Sequence, residues 1–334
     1  MSMQLRAPLH GKVILTGASG FIGSNLRAAL QAGGADVVSL VRAESPVSKH
    51  GRSIAVDYAD LEALERVMRE EAPDYVFHLA GATKGITYED FWHANVVPTK
   101  NLIEALAREH PTLKRFLFVS SQTAYGPSNE GPATRETDVP RPIEHYGRSK
   151  LEAEQVVESY GQRVRWTIIR PSGVYGPADV DAFALFKSAK TGVNLFYGNR
   201  DNRISMVYVD DLVQAIVDAA ESERTIARGY FISDGHPYTW AEFQKHVVAA
   251  VGKRTFTLNL PSFVVPLAGI AGELLTAVDH KPRLLNRQKA LLGAQEAWVC
   301  SPEAARKDFD YRPTIDVADG TRRTYRWYVE NKWL

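Results

Sequence analysis

The chain has 334 residues, 45% of them hydrophobic and 24% charged, and 40 basic side chains nearly balance 39 acidic ones for a net charge of +1. These values suit an ordinary globular protein and exclude a basic nucleic-acid footprint or a charged tail at the level of the chain. A lone cysteine, Cys300, excludes an internal disulfide framework and a cysteine-rich zinc site, so no metal is expected.

The opening MSMQLRAPLHGKV lacks the apolar core of a secretory signal, which makes a cytoplasmic location the expectation. Residues 12–17 (KVILTG) predict a buried parallel strand, and helical spacing follows over Phe21 to Ala32. Further strands are expected at Asp36 to Val41, Asp74 to Ala80, Arg115 to Ser120, Arg165 to Arg170 and Gly229 to Ser233. The intervening helices are expected at Leu61 to Glu70, Val96 to Arg108, Ser149 to Tyr160 and Val209 to Ala220. Strands alternating with helices of this length predict an α/β fold with a Rossmann-type doubly wound parallel sheet. The regularity loosens after Val174. A dinucleotide-binding domain is therefore expected over 1–174, with 207–235 returning to it. Residues 175–206 and 236–334 would form a smaller, discontinuous substrate domain. Within it, Thr239 to Glu242 (TWAE) is a capping box opening a helix. Leu260 to Val278 is apolar and long enough for a membrane span, but Pro261, Pro266, two glycines and Glu273 favour buried helices, and no integral span is expected.

Gly17-Ala18-Ser19-Gly20-Phe21-Ile22-Gly23 joins the first strand to the first helix. Glycines in this pattern allow a tight turn, backbone approach to a pyrophosphate, and close helix–strand packing, and the helix start attracts the anion. The second strand ends Leu40-Val41-Arg42, with no carboxylate for a ribose 2′-hydroxyl. A guanidinium there can pair with a 2′-phosphate or stack on adenine, which favours NADP(H), with NAD(H) possible. Asp57, beside Tyr58 in AVDYAD, can accept from an adenine amino group or cap the next helix.

Tyr146 and Lys150 form Y-x-x-x-K, which a helix places on one face. A phenol ordinarily titrates near 10. Lowering that by about 3 units takes roughly 4 kcal/mol, within reach of one ammonium at ~4 Å. The strand in FLFVSSQTAYG delivers Ser120 and Ser121 to the edge where ligands bind, where a hydroxyl can hold a substrate carbonyl. Asn95, at the start of the preceding helix, is either its N-cap or a catalytic support.

At these residues the chain resembles the extended short-chain dehydrogenase/reductase family over nearly its whole length. The matching stretches are TGASGFIG at 16–23, HLAG at 78–81, NVVPTKNLIEA at 95–105, SSQTAYG at 120–126, YGRSK at 146–150, IIRPSGVYGP at 168–177 and MVYVDDLVQAI at 206–216. The resemblance implies that Tyr146 is the acid/base, that Lys150 lowers its pKa and binds ribose, that Ser121 positions the carbonyl, and that Asn95 supports an active-site water. It also implies cofactor contacts from Gly17, Ser19, Gly20, Phe21, Ile22 and Gly23, from Arg42, Asp57 and Tyr58, from Leu79, Ala80 and Gly81, and from Pro171 and Val174. A homodimer through helices 96–108 and 149–160 is implied as well.

Two positions depart from the nucleotide-sugar branch of that family. Gly173 stands where that branch usually carries Asn, and Ile204 where it often carries Arg, with Arg203 one place off. The Val41-Arg42 strand end and RPSGVYGP look more like dihydroflavonol reductases and 3β-hydroxysteroid dehydrogenases. Gln122-Thr123 replaces the acidic pair that dehydration needs. The expected protein is an NAD(P)-dependent oxidoreductase acting on a small-molecule secondary alcohol or ketone, bulky or hydrophobic. A nucleotide-sugar 4-epimerase with retained NAD and a non-catalytic dinucleotide-binding protein are the alternatives.

Overall fold

The computed structural model describes residues 3–42, 51–110, 112–129, 131–260 and 287–334. The first half alternates as the sequence predicts: β1 (Lys12–Thr16), α1 (Phe21–Ala32), β2 (Asp36–Val41), β3 (Arg52–Ala55), α2 (Leu61–Glu71), β4 (Tyr75–His78), α3 (Tyr88–Phe91), α4 (Val97–Glu109), β5 (Arg115–Val119), α5 (His145–Ser159) and β6 (Trp166–Pro171). There follow β7 (Gly173–Tyr175), α6 (Val180–Lys190), β8 (Val193–Tyr197), β9 (Arg203–Tyr208), α7 (Val209–Glu221) and β10 (Arg228–Ile232). The last elements are β11 (Pro237–Thr239), α8 (Trp240–Val251), β12 (Phe256–Leu260), α9 (Arg287–Gly293), β13 (Ala297–Trp298), α10 (Glu303–Phe309) and α11 (Val317–Glu330).

Seven strands pair in the order β10-β6-β5-β4-β1-β2-β3, all in parallel. Because both faces of such a sheet are covered, its strands are continuous apolar runs rather than alternating ones. One face buries Leu26 and Leu30 of α1 and Leu212 and Ile216 of α7. The other buries Leu64 and Met68 of α2, Leu102 and Leu106 of α4, and Ala153 and Val157 of α5. Each fully buried Leu, Ile, Met or Val among these contributes about 1.5–3 kcal/mol. Chain order reverses across β1 and β4, and that reversal opens a crevice at the carboxyl edge of the sheet.

Beyond β6 the chain forms short strands that sequence patterning did not reveal. β9 pairs with β7, β11 and β13, and β8 pairs with β12. The capping box at Thr239 and Glu242 is formed. Of the apolar 260–278 stretch, everything after Leu260 lies outside the described residues. Among the described residues no helix is long and apolar enough to cross a membrane.

Two helix starts differ from expectation. The α5 helix begins at His145, because the Glu144 carboxylate accepts from the Tyr146 and Gly147 backbone N–H groups, both at 2.5 Å. Tyr146 thus sits in its first turn. The α4 helix begins at Val97, because a π-helical turn over Trp92–Val96 precedes it.

Candidate active site

The phosphate loop has the shape that its glycines require. Gly17 adopts a φ of +71°, and a Cβ there would lie 2.7 Å from the Leu79 carbonyl carbon. A Cβ on Gly23 would collide with the Gly17 carbonyl oxygen. Gly20 begins α1 with no side chain capping the helix. Ser19 and Gly20 are exposed, Phe21 and Ile22 half-buried. An uncapped helix start beside a loop whose Gly17 and Gly23 have no room for a Cβ fits a diphosphate.

At the far edge, Val56 N–H donates to the Val41 carbonyl (2.9 Å), which brings Arg42 and Asp57 to adjacent strand ends. Arg42 is exposed and lies close enough to Tyr58 to act on its phenol, while Tyr58 Oη donates to the Leu40 carbonyl at 2.9 Å. Asp57 is exposed, and its carboxylate accepts from Ala59 N–H at 2.9 Å. Among the described residues β2 ends at Val41 and runs into Arg42 with no carboxylate of its own there.

Leu79 and Ala80 leave β4 with their N–H groups donating to the Thr16 hydroxyl at 3.1 and 3.0 Å. Gly81 faces Asn95, whose Oδ1 would lie 2.7 Å from a Cβ there. Asn95 is buried in the π-helical turn and is not the N-cap of α4, whose orphan N–H groups it does not serve. Its amide instead closes on Ala82, accepting from the N–H at 2.7 Å and donating to the carbonyl at 3.1 Å. It also donates to Ser149 Oγ (2.8 Å), which donates to the Tyr146 carbonyl (2.7 Å).

Ser121, Tyr146 and Lys150 meet at the carboxyl edge of β5. Ser121 Oγ hydrogen-bonds the Tyr146 phenol and accepts from Thr123 N–H (3.2 Å) and Thr123 Oγ1 (3.0 Å). Lys150 is buried one turn after Tyr146. Its Nζ donates to the Val119 carbonyl at 2.8 Å and stands 4.2 Å from the centre of the Phe118 ring. The phenol differs from the sequence expectation. Burial pushes Tyr146 up to about 12, the Ser121 hydrogen bond lowers it, and Glu144 raises it. Lys150 is itself lowered to about 7 by burial, against the pull of Glu154. The desolvation that encloses the pair therefore opposes both charged forms.

Pro171 closes β6 and is buried, and half-buried Val174 pairs with Val207 in β9. Gly173 lies opposite Met206, and a Cβ there would come within 2.7 Å of Met206 Sδ, so a side chain would have to displace the thioether. Ile204 is buried in the core, and Arg203 is exposed on the other face of β9. Three buried polar atoms at this edge, Ser120 Oγ, Gln122 Nε2 and Ser172 Oγ, have no hydrogen-bond partner among the described residues. Sequence reading did not single out Gln122 as a site residue.

Comparison with known proteins identifies the family and the fold. The model of the NAD dependent epimerase/dehydratase family matches residues 13–232. The chain is 30% identical to a 3-beta-hydroxysteroid dehydrogenase of Mycolicibacterium neoaurum, over 96% of this chain and 92% of the relative. It is 27% identical to a ceramide reductase of Caulobacter vibrioides, over 97% of this chain and 96% of the relative. Among solved structures, a UDP-glucose 4-epimerase of Thermotoga maritima superposes with a TM-score of 0.79 at 22% identity, covering 96% of this chain and 99% of that one. The chain belongs to the NAD dependent epimerase/dehydratase family, within the extended short-chain dehydrogenase/reductases.

Proposed function

We propose that the protein is an NADP(H)-preferring oxidoreductase that interconverts a secondary alcohol and a ketone on a bulky or hydrophobic substrate. The nicotinamide dinucleotide, when bound, exchanges hydride with the substrate carbon. Tyr146 moves the proton at the substrate oxygen, Ser121 holds that oxygen, and Lys150 holds the cofactor ribose and passes on the replacement proton. With its phenol pushed up to about 12, resting Tyr146 is protonated at neutral pH, which suits a general acid and the reducing direction. Arg42 at the end of β2, with no acid there, supports the preference for a 2′-phosphate. Residues 175–206 and 236–334 would supply the substrate wall, and the outer faces of α4 and α5 a dimer contact.

The substrate class rests on the wall built by β7 and β9. Gly173 brings no amide to β7, and Ile204, buried in the core, brings no cation to β9. Without an amide or a cation at those two positions the site offers a charged diphosphate fewer partners, which favours a less polar substrate. Two relatives bear the names of enzymes for ceramide and 3-beta-hydroxysteroids, which are bulky and apolar. Parallel calorimetric titrations with NADPH and NADH, followed by a screen of ketones and sugar nucleotides, test the proposal. Exchangeable NADPH and turnover of an apolar ketone are expected. Retained NAD together with binding of a UDP- or dTDP-sugar would replace this reading with that of a 4-epimerase, and tight NADPH binding without any turnover would favour a non-catalytic protein.

A further inference from the structure

Glu154 and Arg170 form an ion pair whose side chains are only 2% and 4% exposed. Arg170 Nε donates to both carboxylate oxygens (3.1 and 3.0 Å), and Nη2 donates to one of them (2.9 Å). Burying two charges costs more desolvation than an exposed pair does, so such a pair is weak evidence of stability, and fixing one arrangement is the role worth testing. The guanidinium is wedged between elements that carry the proton-transfer residues. It lies 4.6 Å from the centre of the Tyr125 ring, at the end of the turn that Ser121 begins, and 5.6 Å from that of Phe231 in β10. It also packs on Gly229 of β10, where a Cβ would come within 2.6 Å of its Cζ. Glu154 follows Lys150 by one turn of α5, as Lys150 follows Tyr146. The other charged groups facing this pair are Glu136, whose carboxylate accepts from Phe231 N–H at 2.8 Å, and Glu158, one turn beyond Glu154.

We propose that Glu154 and Arg170 are positioning residues: a clamp that holds the Ser121 turn against α5 and supplies the negative charge that keeps the Lys150 ammonium in place. Neither touches the reacting atoms. The proposal rests on the reading of Tyr146, Ser121 and Lys150 as the proton-transfer set.

The test follows Lys150 directly, by carbon-13 NMR of lysine-labelled protein without dinucleotide, its signal assigned through Lys150→Met. Glu154→Gln is expected to lower the Lys150 midpoint by about one unit, since a neighbouring carboxylate favours the ammonium. An unmoved midpoint in a folded variant overturns the electrostatic role. Gly229→Ala keeps every charge and displaces the guanidinium. It is expected to lower kcat about tenfold with KM and NADPH affinity unchanged, the mark of an interaction felt in the transition state. Wild-type kcat in Gly229→Ala overturns the clamp, and recovery of turnover in Glu154→Asp relative to Glu154→Gln supports it. If the wild-type protein turns over no carbonyl compound, the functional reading falls, and the lysine titration still judges Glu154.

Discussion

His78 Nδ1 lies 2.8 Å from the Thr16 hydroxyl oxygen, and the direction of that hydrogen bond follows from the other bonds of the hydroxyl. Thr16 Oγ1 already accepts from Leu79 and Ala80 N–H, so its proton goes to Nδ1. His78 Nε2–H then donates to Thr99 Oγ1 (2.9 Å), which donates to the Asn95 carbonyl at 2.6 Å. One neutral tautomer thereby joins β1, β4 and the π-helical turn under the candidate active site.

Burial, with Lys150 adding to it, pushes His78 from 6.5 down to about 3. The unfolded chain therefore binds a proton that the fold refuses between those values, and this contribution to stability is lost as pH falls from about 6.5 toward 3. Urea midpoints from pH 7 to pH 4 should fall more steeply for the wild type than for His78→Gln. Equal slopes would refute the assignment.

Tyr146→Phe should keep dinucleotide affinity and lose about 10²–10⁴-fold in turnover, the usual range for general acid catalysis. Stopped-flow reduction of a ketone substrate with NADPH measures it. Wild-type-like turnover would reject Tyr146 as the acid.

Arg42 stands at the end of β2 where a ribose carboxylate partner would otherwise stand. Arg42→Ala should weaken NADPH by about tenfold and leave NADH within about twofold, as loss of a charge-assisted contact to a phosphate predicts. Calorimetry with both nucleotides gives the ratio, and parallel losses would show that Arg42 does not distinguish them.

The loop glycines should separate by the room each one has. Gly20→Ala meets only the Gly17 carbonyl oxygen, at 3.3 Å, whereas Gly23→Ala drives a methyl into that oxygen. Gly23→Ala should therefore cost roughly 1–3 kcal/mol of stability, as overpacking does, with Gly20→Ala within about 1 kcal/mol of wild type. Thermal melts of the two variants check the order.

Much of the sheet was readable because its signals are local. Apolar runs such as KVILT and RFLFV mark doubly covered strands, and the loop glycines and Y-x-x-x-K are contained within a few residues of chain. The α5 start was missed because its cap is a glutamate rather than a short polar residue. The strands β7 and β11 were missed because a strand of three residues carries too little pattern of its own and is set by its partners.

The amino-acid sequence by itself determined the glycine loop, the parallel order of strands and helices, and the one-turn spacing of Tyr146 and Lys150. Each depends on contacts within a turn or on a repeating apolar period. Only the tertiary structure decided that Asn95 closes on Ala82 and Ser149 instead of capping a helix, that burial pushes Tyr146 up rather than down, and that Arg170 pairs with Glu154 beside Gly229. Those outcomes depend on desolvation and on side chains from separate elements brought together by packing, and neither is written in the spacing of neighbours along the chain.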